Sequence, residues 1–176
     1  ADMVTSGVVP GIVMYQLLAG KFFSVDTLSF SDRGNEYLPY LGLLLTLAAC
    51  YRLGKFNIDT RQSDSFIGLP TPAMSLFVIA LPLIPEYTNY QFFIDVVQNN
   101  YFLIGVTLVL SYLMNAELPL FSLKFKSFGM KENLLKYGFL VMSLALLLVL
   151  NVIAVPLIIL LYVLLSIGSN MRKNKA

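Results

Sequence analysis

The feature that most constrains this chain is a series of apolar segments, each near the length of one membrane crossing. The candidate spans, separated by polar or charged residues, are residues 2–19, 38–54, 69–85, 100–115, 135–151 and 153–169. A bilayer core of about 30 Å needs about 20 helical residues, so each segment is close to the lower limit. Only 12% of the residues are charged, against roughly 25% in soluble domains. We therefore expect an all-α integral membrane protein, a bundle of about six transmembrane helices.

The last two segments form one apolar run of about 33 residues, interrupted by Asn151 and Pro156. A single helix of that length would extend about 50 Å, which is longer than a bilayer core is thick. The sequence therefore favours a tight helical hairpin that turns near Asn151–Ile153. One long kinked helix is the alternative.

The positions of the basic residues support six spans and give them an orientation. If the first span starts in the cytoplasm, ten of the twelve Lys and Arg residues lie in cytoplasmic segments, as the positive-inside rule requires. We predict one multi-pass domain over residues 1–176 in the cell (inner) membrane, with a cytoplasmic C-terminus. Residues 20–37 and 86–99 are expected to be external connections. Residues 117–134 are expected to lie along the cytoplasmic headgroups.

Several classes of chemistry are excluded by residue types that are rare or missing. The chain has one cysteine, Cys50, and no histidine, so it has no internal disulfide, no common zinc pattern and no Ser-His-Asp triad. Acid–base chemistry must then use Asp, Glu, Lys or Tyr. The sequence opens at Ala1 inside a predicted helix, without Met or a signal-peptide pattern. We interpret this as a chain that lacks its natural beginning.

Asp2 is the first candidate site residue, because ionisable groups at a membrane span commonly mark function. Thr5 and Ser6 follow at helical spacing and would share its face. The alternative is a first-turn acid that the helix dipole favours. Gly7 and Gly11 form a G-x-x-x-G pattern, which permits close helix approach.

A second candidate group follows the second span, where Arg52, Lys55 and Asn57 lie close together. Two cations and an amide at one helix end suit a phosphate or a carboxylate. The alternative is that they are positive-inside anchors whose stems lie along the apolar surface. Just beyond them, Gly68 would allow a tight entry into a helix whose first turn holds Pro70 and Pro72.

At these residues the chain resembles the CDP-alcohol phosphatidyltransferases, in particular their CDP-diacylglycerol–serine O-phosphatidyltransferase branch. Residues 1–11, ADMVTSGVVPG, are similar to the run that closes the family signature, with Asp2 in the place of its final aspartate. Residues 52–57, RLGKFN, resemble R-L-A-R-F-N, with Lys55 where arginine is common. Residues 66–73, FIGLPTPA, resemble F-x-G-L-P-x-P-A, and residues 118–124, LPLFSLK, resemble I-P-x-F-S-L-K.

The resemblance implies transfer of a phosphatidyl group from CDP-diacylglycerol to L-serine, giving phosphatidylserine and CMP. It implies that Asp2 is the general base and a shared ligand of a divalent cation, Mg or Mn. It also implies that Arg52, Lys55 and Asn57 bind the serine carboxylate or a phosphate. The first three aspartates of the signature are not in this sequence, so we expect these 176 residues alone to be inactive.

The partners implied are CDP-diacylglycerol, L-serine and membrane lipids, and a homodimer is compatible with the sequence. Nucleic-acid binding is disfavoured because the basic patch is short and adjoins two spans. A related transferase that uses another alcohol, such as glycerol phosphate or inositol phosphate, is one alternative function. A transporter or a non-catalytic membrane bundle is another, since short spans with Pro and Gly also occur in transporters.

Overall fold

The computed structural model describes residues 1–20, 37–58, 66–120 and 134–173, and nearly all of them are helical. In chain order the elements are a π-helical turn Val4–Val8, α1 Val9–Leu18, a 3-10 helix Leu38–Gly42, α2 Leu43–Ile58, β1 Phe66–Ile67, α3 Thr71–Tyr87, α4 Gln91–Gln98, α5 Asn100–Asn115, β2 Pro119–Leu120, α6 Leu134–Leu150, a 3-10 turn Asn151–Ile153 and α7 Ala154–Lys173. The predicted helical class is confirmed. The short antiparallel ribbon of β1 and β2 was not predicted from the sequence.

Helices α1 and α2 pack closely because small residues line their interface. A Cβ on Gly7 would lie 3.3 Å from the Cβ of Ala49, and a Cβ on Gly11 would overlap the side chain of Thr46. The hydroxyl of Thr46 donates a hydrogen bond of 3.0 Å to the carbonyl oxygen of Gly7. The prediction that the G-x-x-x-G pattern permits close helix approach is therefore confirmed.

The bundle has two distinct ends, because the helices alternate in direction. Helix α1 is antiparallel to α2, since Gly7 lies near Ala49 whereas Tyr15 lies near Gly42. The start of α3 lies beside the start of the chain, where the Ser75 hydroxyl donates to the backbone of the π-helical turn. We term the end that holds β1 and β2 the ribbon end. The opposite end, which holds the turn Asn151–Ile153, is the hairpin end.

Between the two ends lies one apolar core, to which most of the helices contribute. Its most deeply buried side chains are Met14, Leu18, Leu45, Leu69, Met74, Val78, Leu81, Leu103, Met114 and Ile153. This core fixes how the helix ends, and therefore the polar residues on them, are arranged.

The apolar run at the end of the chain folds back on itself. The rings of Phe139 in α6 and Tyr162 in α7 are 5.8 Å apart. In one continuous helix these residues would be about 35 Å apart, at 1.5 Å per residue. The reversal occurs at Asn151, whose φ of 48° is a left-handed conformation that Asn tolerates better than most residues. The predicted hairpin is confirmed, and the alternative of one long kinked helix is wrong.

The number of membrane spans is not confirmed. Among the described residues, the stretch Lys136–Asn170 is long and apolar enough to cross a membrane. This stretch includes most of α6 and α7 and folds back between them. A second candidate exists if α4 and α5, which are bent by 72° relative to each other, count as one span. The apolar helices Val4–Leu18 and Thr71–Tyr87 are shorter than the roughly 20 residues that a full crossing requires.

Residues 86–99, the expected external connection, contain a helix, α4, that the sequence did not predict; the position of this segment outside the membrane stays a prediction. Phe93 and Val97 are one turn apart and face the core, and Val97 is only 2% exposed. The Asn99 side chain then caps α5 by accepting hydrogen bonds from the N–H groups of Tyr101 and Phe102. Most of the predicted connection 20–37 and of the predicted headgroup segment 117–134 lies outside the described residues.

Candidate active site

Arg52 joins three segments of the chain at the ribbon end. Its side chain is 8% exposed, and Nη1 donates hydrogen bonds to the carbonyl oxygens of Ile67 at 3.0 Å and Met114 at 2.6 Å. These bonds connect α2 to β1 and to the end of α5. A guanidinium is suited to this position because it carries several donors in a fixed plane. The structure thus gives Arg52 a structural role, and its predicted role in substrate binding stays a prediction.

A turn at Gly68 brings two of the sequence motifs together. Gly68 has a φ of 74°, and its N–H donates to the carbonyl oxygen of Leu118 at 2.8 Å. Glycine is needed for two reasons, since a Cβ here would lie 2.6 Å from the Met114 carbonyl oxygen and φ is left-handed. Helix α3 begins at Thr71, with Pro70 as its N-cap residue and Pro72 in its first turn. The predicted tight entry at Gly68 and proline-initiated helix are both confirmed.

Lys55 lies one turn beyond Arg52 on α2 and has a different environment. Its Nζ is 3.3 Å from Oε1 of Glu117, and the two side chains are 31% and 67% exposed. An ion pair this exposed contributes about 1 kcal/mol or less and can be exchanged easily. Asn57, the third predicted ligand, is exposed.

A small cleft lies beside these residues. Its walls are formed by Arg52, Lys55, Ile67, Met114, Asn115 and Ala116. Two of the six lining residues are cations, so the cleft favours an anionic group. It therefore combines parts of α2, the ribbon and the end of α5, which are far apart in the sequence.

Asn115 lines the cleft and was not singled out from the sequence. Its Nδ2 donates to the carbonyl oxygens of Ala48 at 3.3 Å and Ser111 at 3.1 Å, which fixes the orientation of the amide. The buried Oδ1 has no hydrogen-bond partner among the described residues. The available signal was an amide that ends an apolar span, next to Glu117. Polar residues at span ends are common, so the sequence alone does not distinguish this position.

Asp2 lies at the ribbon end, as the sequence predicts. Gly7 lies beside Ala49 in the antiparallel pair of α1 and α2. Because Asp2 precedes Gly7, it lies closer to the end of α2 that carries Arg52 and Lys55. Asp2 is exposed, and so is Thr5, whereas Ser6 is 8% exposed. The three residues therefore differ in exposure, and the segment that holds Thr5 and Ser6 is a π-helix. The structure shows no direct contact that tests the role of Asp2.

The residues that the structure describes do not form a metal centre. Among them, no three His, Cys, Asp or Glu side chains lie close enough together to hold a metal ion. Asp2 and Glu117 are the only described carboxylates at the ribbon end, since Glu86 and Asp95 lie toward the hairpin end. The described residues thus do not fit the divalent-cation site that the family resemblance implies.

The structure thus defines a helical protein with a cationic cleft at one end of an apolar bundle, and comparison with known proteins gives it a closer context. The chain is 32% identical over 85 residues to the CDP-diacylglycerol–serine O-phosphatidyltransferase of Bacillus subtilis (strain 168), which covers 46% of this chain and 39% of that protein. It is 30% and 29% identical over 94 residues to the enzymes of that name from two Helicobacter pylori strains, J99 and 26695. These alignments cover 52% of this chain and 34% of each relative.

The predicted resemblance to CDP-diacylglycerol–serine O-phosphatidyltransferases is therefore confirmed. The chain matches well under half the length of these relatives. No protein-family model matches the chain, and no solved structure matches it.

Proposed function

We propose that this chain is part of a membrane enzyme that transfers a phosphatidyl group from CDP-diacylglycerol to L-serine, giving phosphatidylserine and CMP. The observation that carries the proposal is that three motif segments are joined at the ribbon end and the fourth lies at the same end. Arg52 binds the backbone at Ile67, and Gly68 binds the backbone at Leu118. The segment that starts at Asp2 lies at the same end. Three relatives that carry this activity in their names add support.

The chemistry needs a base for the acceptor and cationic groups for the phosphates. The acceptor hydroxyl oxygen attacks the phosphorus that bears the diacylglycerol, and a new oxygen–phosphorus bond forms. The bond to the CMP phosphate breaks, and CMP leaves with its negative charge. In this scheme Asp2 takes the hydroxyl proton. Lys55, with Asn57 beyond it, provides positive charge and a hydrogen-bonding amide for a carboxylate or phosphate.

The resemblance also implies a divalent cation, Mg or Mn, which would neutralise pyrophosphate charge. Because the described residues do not make a metal site, no step above is routed through a metal.

We further propose that the bundle is embedded in the cell membrane as a multi-pass protein, with the ribbon end and the C-terminus in the cytoplasm. One face of α6 supports this, since Val141, Leu144 and Leu148 are 69%, 60% and 76% exposed. An apolar face of this kind is stable against lipid but not against water. A cytoplasmic ribbon end would let a lipid-embedded tail and a water-soluble nucleotide meet at the cleft.

The test is transfer of a radiolabelled acceptor by the protein as its gene encodes it, purified in detergent with CDP-diacylglycerol. We expect label from L-serine to enter lipid, with one CMP released for each phosphatidylserine formed. Label from glycerol phosphate or inositol phosphate instead of serine would assign another acceptor. No transfer from any of the three would refute the transferase proposal. In the same assay we expect the 176 residues alone to release no CMP.

A further inference from the structure

The cleft at the ribbon end has charges of both signs at its border, and this bears on which acceptor it can select. Lys55 lines the cleft, and Glu117 is paired with it at 3.3 Å. An α-amino acid such as serine carries a carboxylate and an ammonium on the same carbon atom. A site that binds one must offer a cation to the first group and an acceptor oxygen to the second.

We propose that Glu117 is a specificity-determining residue that accepts the ammonium of an amino-acid acceptor while Lys55 binds its carboxylate. The inference rests on the proposed function, which it deepens by stating how the acceptor is recognised. In the structure the two side chains are paired with each other. When the amino acid enters, each half of the ion pair takes the opposite charge of the zwitterion, so no charge is left without a partner.

Elimination among the described carboxylates supports Glu117. Among the residues that the structure describes, the carboxylates at the ribbon end are Asp2 and Glu117, and Asp2 is the proposed base. Glu117 follows the end of α5, two residues beyond Asn115.

The weakness of the Lys55–Glu117 ion pair supports the same proposal. The Lys55–Glu117 ion pair joins side chains that are 31% and 67% exposed, and an ion pair this exposed is weak enough to open. By contrast, Arg52 is held by two backbone carbonyl oxygens and is not available for such an exchange through Nη1.

Asn115 provides an independent observation that points to a donor-bearing ligand. Both hydrogen bonds of its Nδ2 are made to the backbone, so its Oδ1 is a fixed acceptor, and this oxygen has no partner among the described residues. A buried acceptor without a donor is costly. An ammonium that reached this oxygen would supply the missing donor.

The experiment compares L-serine with 3-hydroxypropionate, which keeps the hydroxyl and the carboxylate but has no ammonium. Both are measured with the protein as its gene encodes it, L-serine through its KM and 3-hydroxypropionate through its inhibition constant. The variant is Glu117→Gln, which removes the charge and keeps the shape. Glu86→Gln is the matched control, because it makes the same change at an exposed position near the hairpin end.

We expect Glu117→Gln to raise the KM for L-serine by about fivefold or more, the effect of about 1 kcal/mol. The inhibition constant of 3-hydroxypropionate should stay the same or fall, because Lys55 is released from its partner. The KM for CDP-diacylglycerol should not change, Glu86→Gln should have no effect, and Glu117→Asp should restore part of the loss.

Three results would overturn the inference while leaving the proposed function intact. If the KM for L-serine and the inhibition constant of 3-hydroxypropionate both fall in Glu117→Gln, Glu117 only shields Lys55 from anions. If both rise together with a loss of thermal stability, Glu117 has a structural role. If neither changes, Glu117 does not contact the acceptor. If the unsubstituted protein makes no phosphatidylserine, the proposed function fails and the inference falls with it.

Discussion

Replacing Gly68 with alanine should disrupt the ribbon end more than any other single added methyl group there. A non-glycine residue in the left-handed region costs about 1–2 kcal/mol, and the φ of Gly68 is 74°. The new Cβ would also lie 2.6 Å from the Met114 carbonyl oxygen and 2.9 Å from that of Ala116. Both neighbours are backbone atoms, so relief requires the end of α5 to move away from the turn.

The two effects together predict a large loss of stability for Gly68→Ala. Overpacking of this type costs about 1–3 kcal/mol, which gives a total of about 2–5 kcal/mol with the backbone term. For a chain of this size 1 kcal/mol lowers Tm by about 2–4 °C, so the expected decrease is about 10 °C. Transferase activity should fall too, because the turn holds the carbonyl oxygen of Ile67 against Arg52.

The assay is thermal unfolding in detergent, followed by far-UV circular dichroism. Gly105→Ala is the matched control, since Gly105 lies within α5 and a Cβ there meets nothing within 4 Å. Alanine is about 1 kcal/mol more favourable than glycine inside a helix, so this variant should be as stable as the parent or more so. If the Tm values of Gly68→Ala and Gly105→Ala are equal, the account of the Gly68 turn is wrong.

Three further predictions address the charged residues, the hairpin and the implied metal. Arg52→Met should cost about 2–4 kcal/mol in thermal unfolding because it removes the hydrogen bonds to the carbonyl oxygens of Ile67 and Met114. Lys55→Met should change stability by less than about 1 kcal/mol while raising the KM for L-serine. A double variant places cysteines at Phe139 and Tyr162, and Cys50→Ser removes the natural cysteine. A short bismaleimide should cross-link the two new cysteines, and failure to cross-link would contradict the hairpin. EDTA should abolish transfer by the protein as its gene encodes it, and Mg or Mn should restore it; full activity after chelation would refute the metal requirement.

The sequence was most informative where local chemistry decides the structure. The hairpin at Asn151 follows from the length of an apolar run that exceeds one bilayer crossing. The close contact of α1 with α2 follows from Gly7 and Gly11. The entry into α3 follows from Gly68 and the prolines after it. In each case one or two residues leave the backbone few alternatives.

The sequence was least informative where long-range packing decides. Helix α4 was missed because a short helix between two apolar segments resembles a polar connection, and its inward side chains are only Phe93 and Val97. The ribbon was missed because two-residue strands have no periodicity to detect. Asn115 was missed for a similar reason, since its unpaired Oδ1 arises from tertiary contacts with Ala48 and Ser111.

The clearest physical distinction concerns the two cations of the motif at residues 52–57, which the sequence treats as equivalent. Arg52 is 8% exposed and bound to two backbone carbonyl oxygens, so a ligand could recruit its Nη1 only by breaking the contacts that hold β1 and α5 together. Lys55 is 31% exposed and held by one exchangeable ion pair. Removing Arg52 should therefore weaken the architecture of the site, whereas removing Lys55 should weaken the binding of an anion within an intact site. Of the two, Lys55 is the better candidate to bind substrate, because a ligand can displace its partner without unfolding anything.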